Sequence, residues 1–295
     1  MPRDRLGWST AQMPRQDGRT FVVTGASAGL GLATATALGA AGAQVVLAVR
    51  SPDKARAAVS GAAGDFVIRR LDVADLSSVR AFADETPHVD VLVNNAGVMS
   101  LPRSQTVDGF ETQLATNHLG HFALTNLLLP RLTDRVVVVG SAAHRAGVLD
   151  VNDLNFTRRP YHPYAAYAAS KLANLVFLAE LQRRLTAAGS TLRAVGAHPG
   201  YTSTGIQVGT GSRVFNRVGS LGNRLVGMPV ERGVLPILFV ATLDVPGNTY
   251  VGPRGPRELW GAPVQVGRSP RAGDPALAKA LWASSEALTG VEWPL

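Results

Sequence analysis

The chain predicts a single α/β domain, one doubly wound parallel sheet flanked by helices. Three observations carry that expectation. Short β-branched runs alternate with alanine- and leucine-rich helical segments from residue 20 onward. The run Arg135-Val-Val-Val-Val-Gly140 has uninterrupted valines, without the polar alternation of a sheet wetted on one side, so both of its faces are buried. No linker or internal repeat interrupts the pattern across 295 residues, 46% of them hydrophobic and 17% charged. A chain of that size buries a large core without staples.

In order, residues 1–18 read as a loose polar arm, carrying Pro2, Asp4, Pro14 and Asp17 and no apolar core for a secretion signal. Thr20 to Thr24 is the first strand and runs into a glycine. Leu30 to Ala41 favours helix, and Gly42 stops it. Gln44 to Val49 is the second strand, after which Ser51-Pro52-Asp53 opens a second helix. Phe66 to Leu71 is the third strand, and Asp75 caps a helix over Leu76 to Ala83. Asp90 to Val93 is the fourth, followed by one long helix over about Gly109 to Leu129 that closes at Pro130. Arg135 to Gly140 is the valine-rich fifth strand, and a helix from about Tyr164 to Ala188 leads to a strand over Thr191 to Ala197. Beyond it residues 205–227 are glycine-rich, Val230 to Leu243 is a helix, and Asn248 to Val251 is a last short strand. Pro275 to Leu288 is a terminal helix. The expected division is an arm over 1–18, the domain over 19–252, and an extension over 253–295 packing on the same domain.

Composition removes several function classes. The absence of cysteine excludes disulfides, thiolate metal sites and a cysteine nucleophile, and suits a cytoplasmic protein. The formal charge is +8, but arginine is spread along the chain and forms no basic run, so nucleic acid is not an expected partner. No apolar stretch is long enough to span a bilayer. A homo-oligomer stays open.

Between the first strand and first helix lies Thr24-Gly25-Ala26-Ser27-Ala28-Gly29-Leu30-Gly31. Glycines there let the chain turn tightly and let a pyrophosphate approach the helix N-terminus, where backbone N–H groups favour an anion. A glycine-rich strand-to-helix turn is the plain structural alternative, but the position is the one dinucleotide binding requires. An acidic residue closing strand two would hold the 2′-hydroxyl of NAD. This chain has Arg50 there, with Lys54 a turn further on, and a cation suits the 2′-phosphate of NADP(H). Asp72, followed by Val73 at the end of strand three, is a candidate for the adenine edge.

Tyr167 and Lys171 stand four apart on a predicted helix and so share a face. A free phenol has a pKa near 10, too high for a base at neutral pH; a neighbouring ammonium favours the phenolate. The spacing also arises by chance, and gains meaning from the glycine loop.

Thr24-Gly25-x-x-x-Gly29-x-Gly31, Asn94-Asn95-Ala96-Gly97 and Tyr167-x-x-x-Lys171 together resemble the short-chain dehydrogenase/reductase family, in order and spacing, from about Arg19 to Val251. The resemblance implies a Rossmann-type domain with a seven-stranded parallel sheet and catalysis without a metal. It implies that Ser141 holds the substrate oxygen, Tyr167 is the acid/base, Lys171 its electrostatic partner and ribose anchor, and Asn117 the residue positioning a water in the proton relay. Asn95, Ala96 and Gly97 would back the cofactor, and Pro199, Gly200 and Thr204 would touch the nicotinamide carboxamide. Two departures stand out. Ala28 sits where many NADP-dependent members carry a basic residue, leaving the phosphate to Arg50. Ser141 and Tyr167 are also widely separated, and the intervening Leu149 to Asn155 resembles the branch containing retinol dehydrogenases and protochlorophyllide reductase.

Lesser signals follow. His118 and His121 stand at a zinc-like spacing but lack an acidic or cysteine partner, so no metal is expected. His144 reads as a pocket-lining, surface or core histidine. Residues 201–228, with Val214, Val218, Leu221 and Leu225 at helical spacing, read as a substrate lid or as a loop packed on the domain. The expected function is an NADP(H)-dependent oxidoreductase interconverting a carbonyl and an alcohol on a small to medium apolar substrate. The alternative is a non-catalytic NADP(H)-sensing protein on the same fold.

Overall fold

The computed structural model describes residues 7–202 and 228–295. The sequence reading of 201–228 as a lid or loop therefore lies largely outside the described residues, as do residues 1–6 of the arm.

Among the described residues eight strands form one sheet in the order β3-β2-β1-β4-β5-β6-β7-β8. They are β1 (Thr20–Thr24), β2 (Gln44–Val49), β3 (Asp65–Arg70), β4 (Val89–Asn94), β5 (Leu132–Val139), β6 (Arg193–Ala197), β7 (Tyr250–Pro253) and β8 (Pro263–Gln265). The first seven pair parallel. The eighth corrects the expected count of seven: the C-terminal extension turns back and lies antiparallel on β7, with Gly252 opposite Val264. Three residues beginning with a proline suit a sheet edge and leave no periodicity to read.

The valine runs are buried on both sides because successive strand residues point to opposite faces. Phe21, Val23, Val91, Val93, Val137 and Val139 enter one layer; Val22, Leu92, Val136 and Val138 enter the other. The helices, in order, are α1 (Gly29–Ala40), α2 (Pro52–Ala58), α3 (Leu76–Asp84), α4 (Thr112–Leu114), α5 (Gly120–Leu128), α6 (Pro163–Ala187), α7 (Val230–Gly233), α8 (Leu235–Thr242) and α9 (Pro275–Thr289). α1, α2 and α8 cover the first layer, and α3, α5, α6 and α9 the second. From β1 the chain winds outward to β2 and β3, then re-enters on the other side of β1 at β4. The strand order thus reverses between β1 and β4, and open α/β sheets bind ligands in a crevice at such a switch point, at the carboxyl ends of the strands.

Three elements differ from expectation. The long helix over Gly109–Leu129 begins only at Thr112, capped by Glu111 through the N–H groups of Gln113 and Leu114. It passes through a π-helical stretch, Ala115–Leu119, before resuming as α5. Gly120 is what lets it lie so close to the end of β3: a Cβ there would sit 1.8 Å from the Val73 carbonyl oxygen. The helix expected over Val230–Leu243 is two, α7 and α8, because Pro236 cannot continue a helix and instead starts one. The described part of the arm is docked: Trp8 packs edge-on to Phe239 with ring centres 5.4 Å apart, and Gln16 donates its N–H to Ala41 O.

α9 closes the second layer from outside. Trp282 is 2% exposed and packs against Phe122, Phe177 and Trp293, with the Arg184 guanidinium 4.2 Å above its ring. No helix among the described residues is long and apolar enough to cross a membrane.

Candidate active site

The crevice takes its shape from two loops drawn together by glycine and threonine. Gly25 has φ +68°, and a Cβ on it would meet Ala96 Cα at 2.9 Å. A Cβ on Gly31 would meet Asn95 Nδ2 and Gly25 O, both at 2.5 Å. Thr24 ties the loops: its hydroxyl accepts the N–H groups of Asn95 and Ala96 at 2.9 Å, and Asn95 Nδ2 donates to Thr24 O at 2.7 Å. α1 then opens at Gly29 with no side-chain cap from Ala28, leaving the first-turn N–H groups around Leu30 and Gly31 without a side-chain acceptor, next to Ser27. A bare glycine-lined helix start of this kind fits a dinucleotide pyrophosphate.

Around this cradle lie the other expected cofactor residues. Arg50 follows β2, Lys54 sits in α2, and both are exposed without an ion pair to the described chain. Asp72 follows β3 and turns the chain by accepting Ala74 N–H at 3.0 Å, with Val73 buried beside it. Pro199 and Gly200 follow β6; Gly200 has φ +68°, and a Cβ there would meet Leu259 O at 2.5 Å. Thr204 lies outside the described residues.

The catalytic candidates meet where β5 ends and α6 begins. Ser141 caps a helical turn over Ala142–Ala146, accepting Ala143 N–H at 3.2 Å. Tyr167 and Lys171 are buried one turn apart on α6, with Lys171 Nζ 6.0 Å from the centre of the Tyr167 ring and donating to Val139 O at 3.1 Å. Their electrostatics are set first by burial. Burial pushes the Tyr167 phenol up, against a hydrogen bond from Ser141 that favours the phenolate, and it takes Lys171 down to about 8. Both groups lose solvent, and for each that loss is the largest cause of the shift. The phenol is therefore protonated at neutral pH.

Asn117 lies in the π-helical stretch, fully buried, with its side chain completely engaged. Oδ1 accepts Val98 N–H at 2.8 Å; Nδ2 donates to Val98 O and to Ser170 Oγ, both at 2.9 Å. Ser170 in turn donates to Tyr167 O at 2.7 Å. Gly97 permits the approach, since a Cβ on it would lie 3.1 Å from Asn117 Oδ1 and 3.6 Å from Lys171 Nζ. Asn117, Tyr167, Lys171 and the loop after β4 are thus one cluster.

Sequence reasoning missed Ser170, Thr24 and His121 as parts of this cluster. His121 stands one helical turn beyond Asn117, a signal hidden by its pairing with His118 as a metal spacing. Within the structure His118 bonds Ser285 Oγ of α9 at 2.9 Å, whereas His121 faces Thr24. Burial keeps both neutral, pushed down to about 3 and about 4. His144 is buried, donating through Nδ1 to Ser141 O at 2.6 Å and accepting Ser269 N–H at Nε2. Tyr164, 48% exposed, places its ring 6.4 Å from that of Tyr167.

Comparison with known proteins converges on this arrangement. The short chain dehydrogenase family model matches residues 19–213. Human (Homo sapiens) retinol dehydrogenase 13 is 39% identical over 298 aligned residues, covering 94% of this chain and 86% of the relative. A solved structure of an uncharacterized protein from Mycobacterium Paratuberculosis is 50% identical, covers 98% of this chain and 100% of its own, and superposes with a TM-score of 0.87. A Beutenbergia cavernae structure described as an NAD(P) dependent gluconate 5-dehydrogenase, with NADP bound at low occupancy, is 26% identical with a TM-score of 0.58, covering 77% of this chain and 91% of its own. A family match through the whole nucleotide-binding half, joined to near full-length similarity to a retinol dehydrogenase, decides the matter: this chain belongs to the short-chain dehydrogenase/reductase family, in its retinol dehydrogenase-like branch, and is an oxidoreductase of carbonyl and alcohol groups.

Proposed function

We propose that this oxidoreductase works with NADP(H) on a small to medium apolar substrate, and that Tyr167 transfers the proton. The observation that carries this is the buried Tyr167–Lys171 pair on one face of α6, next to Ser141. The nicotinamide, when bound, supplies or accepts the hydride. The protein's part is to hold the substrate oxygen and manage one proton. Ser141 presents a hydroxyl to that oxygen, and the protonated Tyr167 phenol gives its proton as negative charge develops there. Lys171, charged at neutral pH with its affinity at about 8, stabilises the phenolate that remains. Only one of its three protons is committed, to Val139 O, which leaves two for the nicotinamide ribose.

Arg50 supports the preference for NADP(H), being an exposed cation without an ion-pair partner among the described residues, where NAD would ask for a carboxylate. The half-exposed Tyr164 ring beside Tyr167 supports an apolar substrate. Asn117 is assigned the relay through its carbonyl, because its side chain is fully occupied. The test is nicotinamide absorbance with NADPH and NADH against a panel of apolar aldehydes and ketones. Tyr167→Phe is expected to lower kcat by roughly 10²–10⁴-fold, the usual worth of a positioned proton donor. Normal turnover in that variant overturns the assignment.

A further inference from the structure

His121 is a buried imidazole for which the proton transfer above has no use, yet it touches both halves of the site. Its Nδ1 lies 3.2 Å from Asn117 O and its Nε2 2.9 Å from Thr24 Oγ1. The partners assign its proton. A backbone carbonyl only accepts, so Nδ1 carries the hydrogen. Burial, reinforced by the nearby Lys171 charge, keeps the ring neutral, so Nε2 presents a lone pair. Thr24 must then donate to Nε2, in preference to Val93 O at 3.3 Å. The same hydroxyl accepts the N–H groups of Asn95 and Ala96. An unbroken chain of hydrogen bonds thus runs from the loops after β1 and β4, through His121, to the backbone of Asn117.

We propose that His121 is a positioning residue that locks the Asn117 carbonyl to the two nucleotide-holding loops, so that cradle and proton path keep one geometry. The proposal deepens the oxidoreductase reading above and rests on it, the kinetic half on the reaction and the affinity half on NADPH binding. The side chain of Asn117 is spent on Val98 and Ser170, so its carbonyl is the group it can still offer, and His121 is what grips it. The π-helical backbone at Asn117 is a geometry that needs such a hold.

Three variants test this. His121→Leu removes donor and acceptor, His121→Gln restores one of each, and His118→Leu removes an equally buried neighbour whose bond goes to Ser285. NADPH affinity is read by fluorescence without substrate, and kcat and KM on any carbonyl that turns over. His121→Leu is expected to weaken NADPH at least threefold and lower kcat at least tenfold with the carbonyl KM little changed. His121→Gln should recover most of both, and His118→Leu should change neither. Should His121→Leu not fold, His121→Asn, too short to span Asn117 O and Thr24 Oγ1 together, takes its place and should show the same loss. Equal losses in the His118 and His121 leucine variants, or no advantage of Gln over Leu, overturn the proposal. A wild-type chain that binds NADPH but reduces no carbonyl overturns the catalytic reading instead, and leaves the affinity arm decisive for His121.

Discussion

Lys171 offers a perturbation whose size can be worked from the structure. Replacing it with Met keeps the unbranched stem and removes the ammonium. Burial lowers the proton affinity of that group from 10.5 to about 8, which at about 1.4 kcal/mol per decade is a cost on the order of 3 kcal/mol for holding the charge inside. Loss of its bond to Val139 O returns roughly 1–2 kcal/mol of that. The variant should therefore be inactive yet more stable at pH 7, by on the order of 1–2 kcal/mol. The pH dependence is the sharper readout, because the hydrogen-bond loss is constant and drops out. Between pH 8 and 10.5 the unfolded wild-type chain binds more protons than the folded one, so wild-type stability rises with pH there relative to the variant. The wild type should gain about 2.5 kcal/mol on the variant between pH 7 and pH 10, enough to erase the variant's lead and reverse its sign. Urea unfolding of both proteins across that range measures it, and a gap that stays constant with pH refutes the reasoning.

Three further outcomes are expected. Trp282→Ala should cost about 3–5 kcal/mol in chemical denaturation, since it empties the space between Phe122, Phe177 and Trp293. Arg50→Asp should cut the preference for NADPH over NADH by roughly 10-fold or more, the worth of a charged hydrogen bond, and unchanged preference would remove Arg50 from the phosphate site. Glu258 accepts Arg145 Nη2 at 2.7 Å and His198 Nε2 at 3.0 Å, joining the turn after Ser141 to the end of β6. Glu258→Gln should raise hydrogen exchange over residues 142–147 and lower kcat, while identical exchange would show that the bridge does not hold that turn.

The parts legible in the sequence are those whose physics is local. A β-branched run is a strand wherever the sheet places it, and Thr24 to Gly31 declares a strand, a tight turn and a helix start within eight residues. What escaped depends on distant partners. Nothing around His121 announces a hydroxyl 97 positions away, and Pro263 to Gln265 becomes a strand only because β7 offers an edge. Pro236 was visible, but the apolar run from Val234 to Leu243 masked the break it causes. The Tyr167–Lys171 pairing was readable and its net electrostatics were not, because spacing reveals the neighbouring charge while burial belongs to the tertiary structure.

The seal that α9 makes over α5 and α6 also sets a timetable. Phe122 and Phe177 leave the ribosome long before Trp282, which follows Phe177 by about a hundred residues, so at 5–20 residues per second the apolar backs of both helices wait roughly ten seconds for their cover. During that interval the helix bearing Tyr167 and Lys171 already exists in the nascent chain but has no outer wall. A message truncated near its 3′ end would thus yield a protein with every catalytic side chain encoded and an adhesive flank where its last helix belongs.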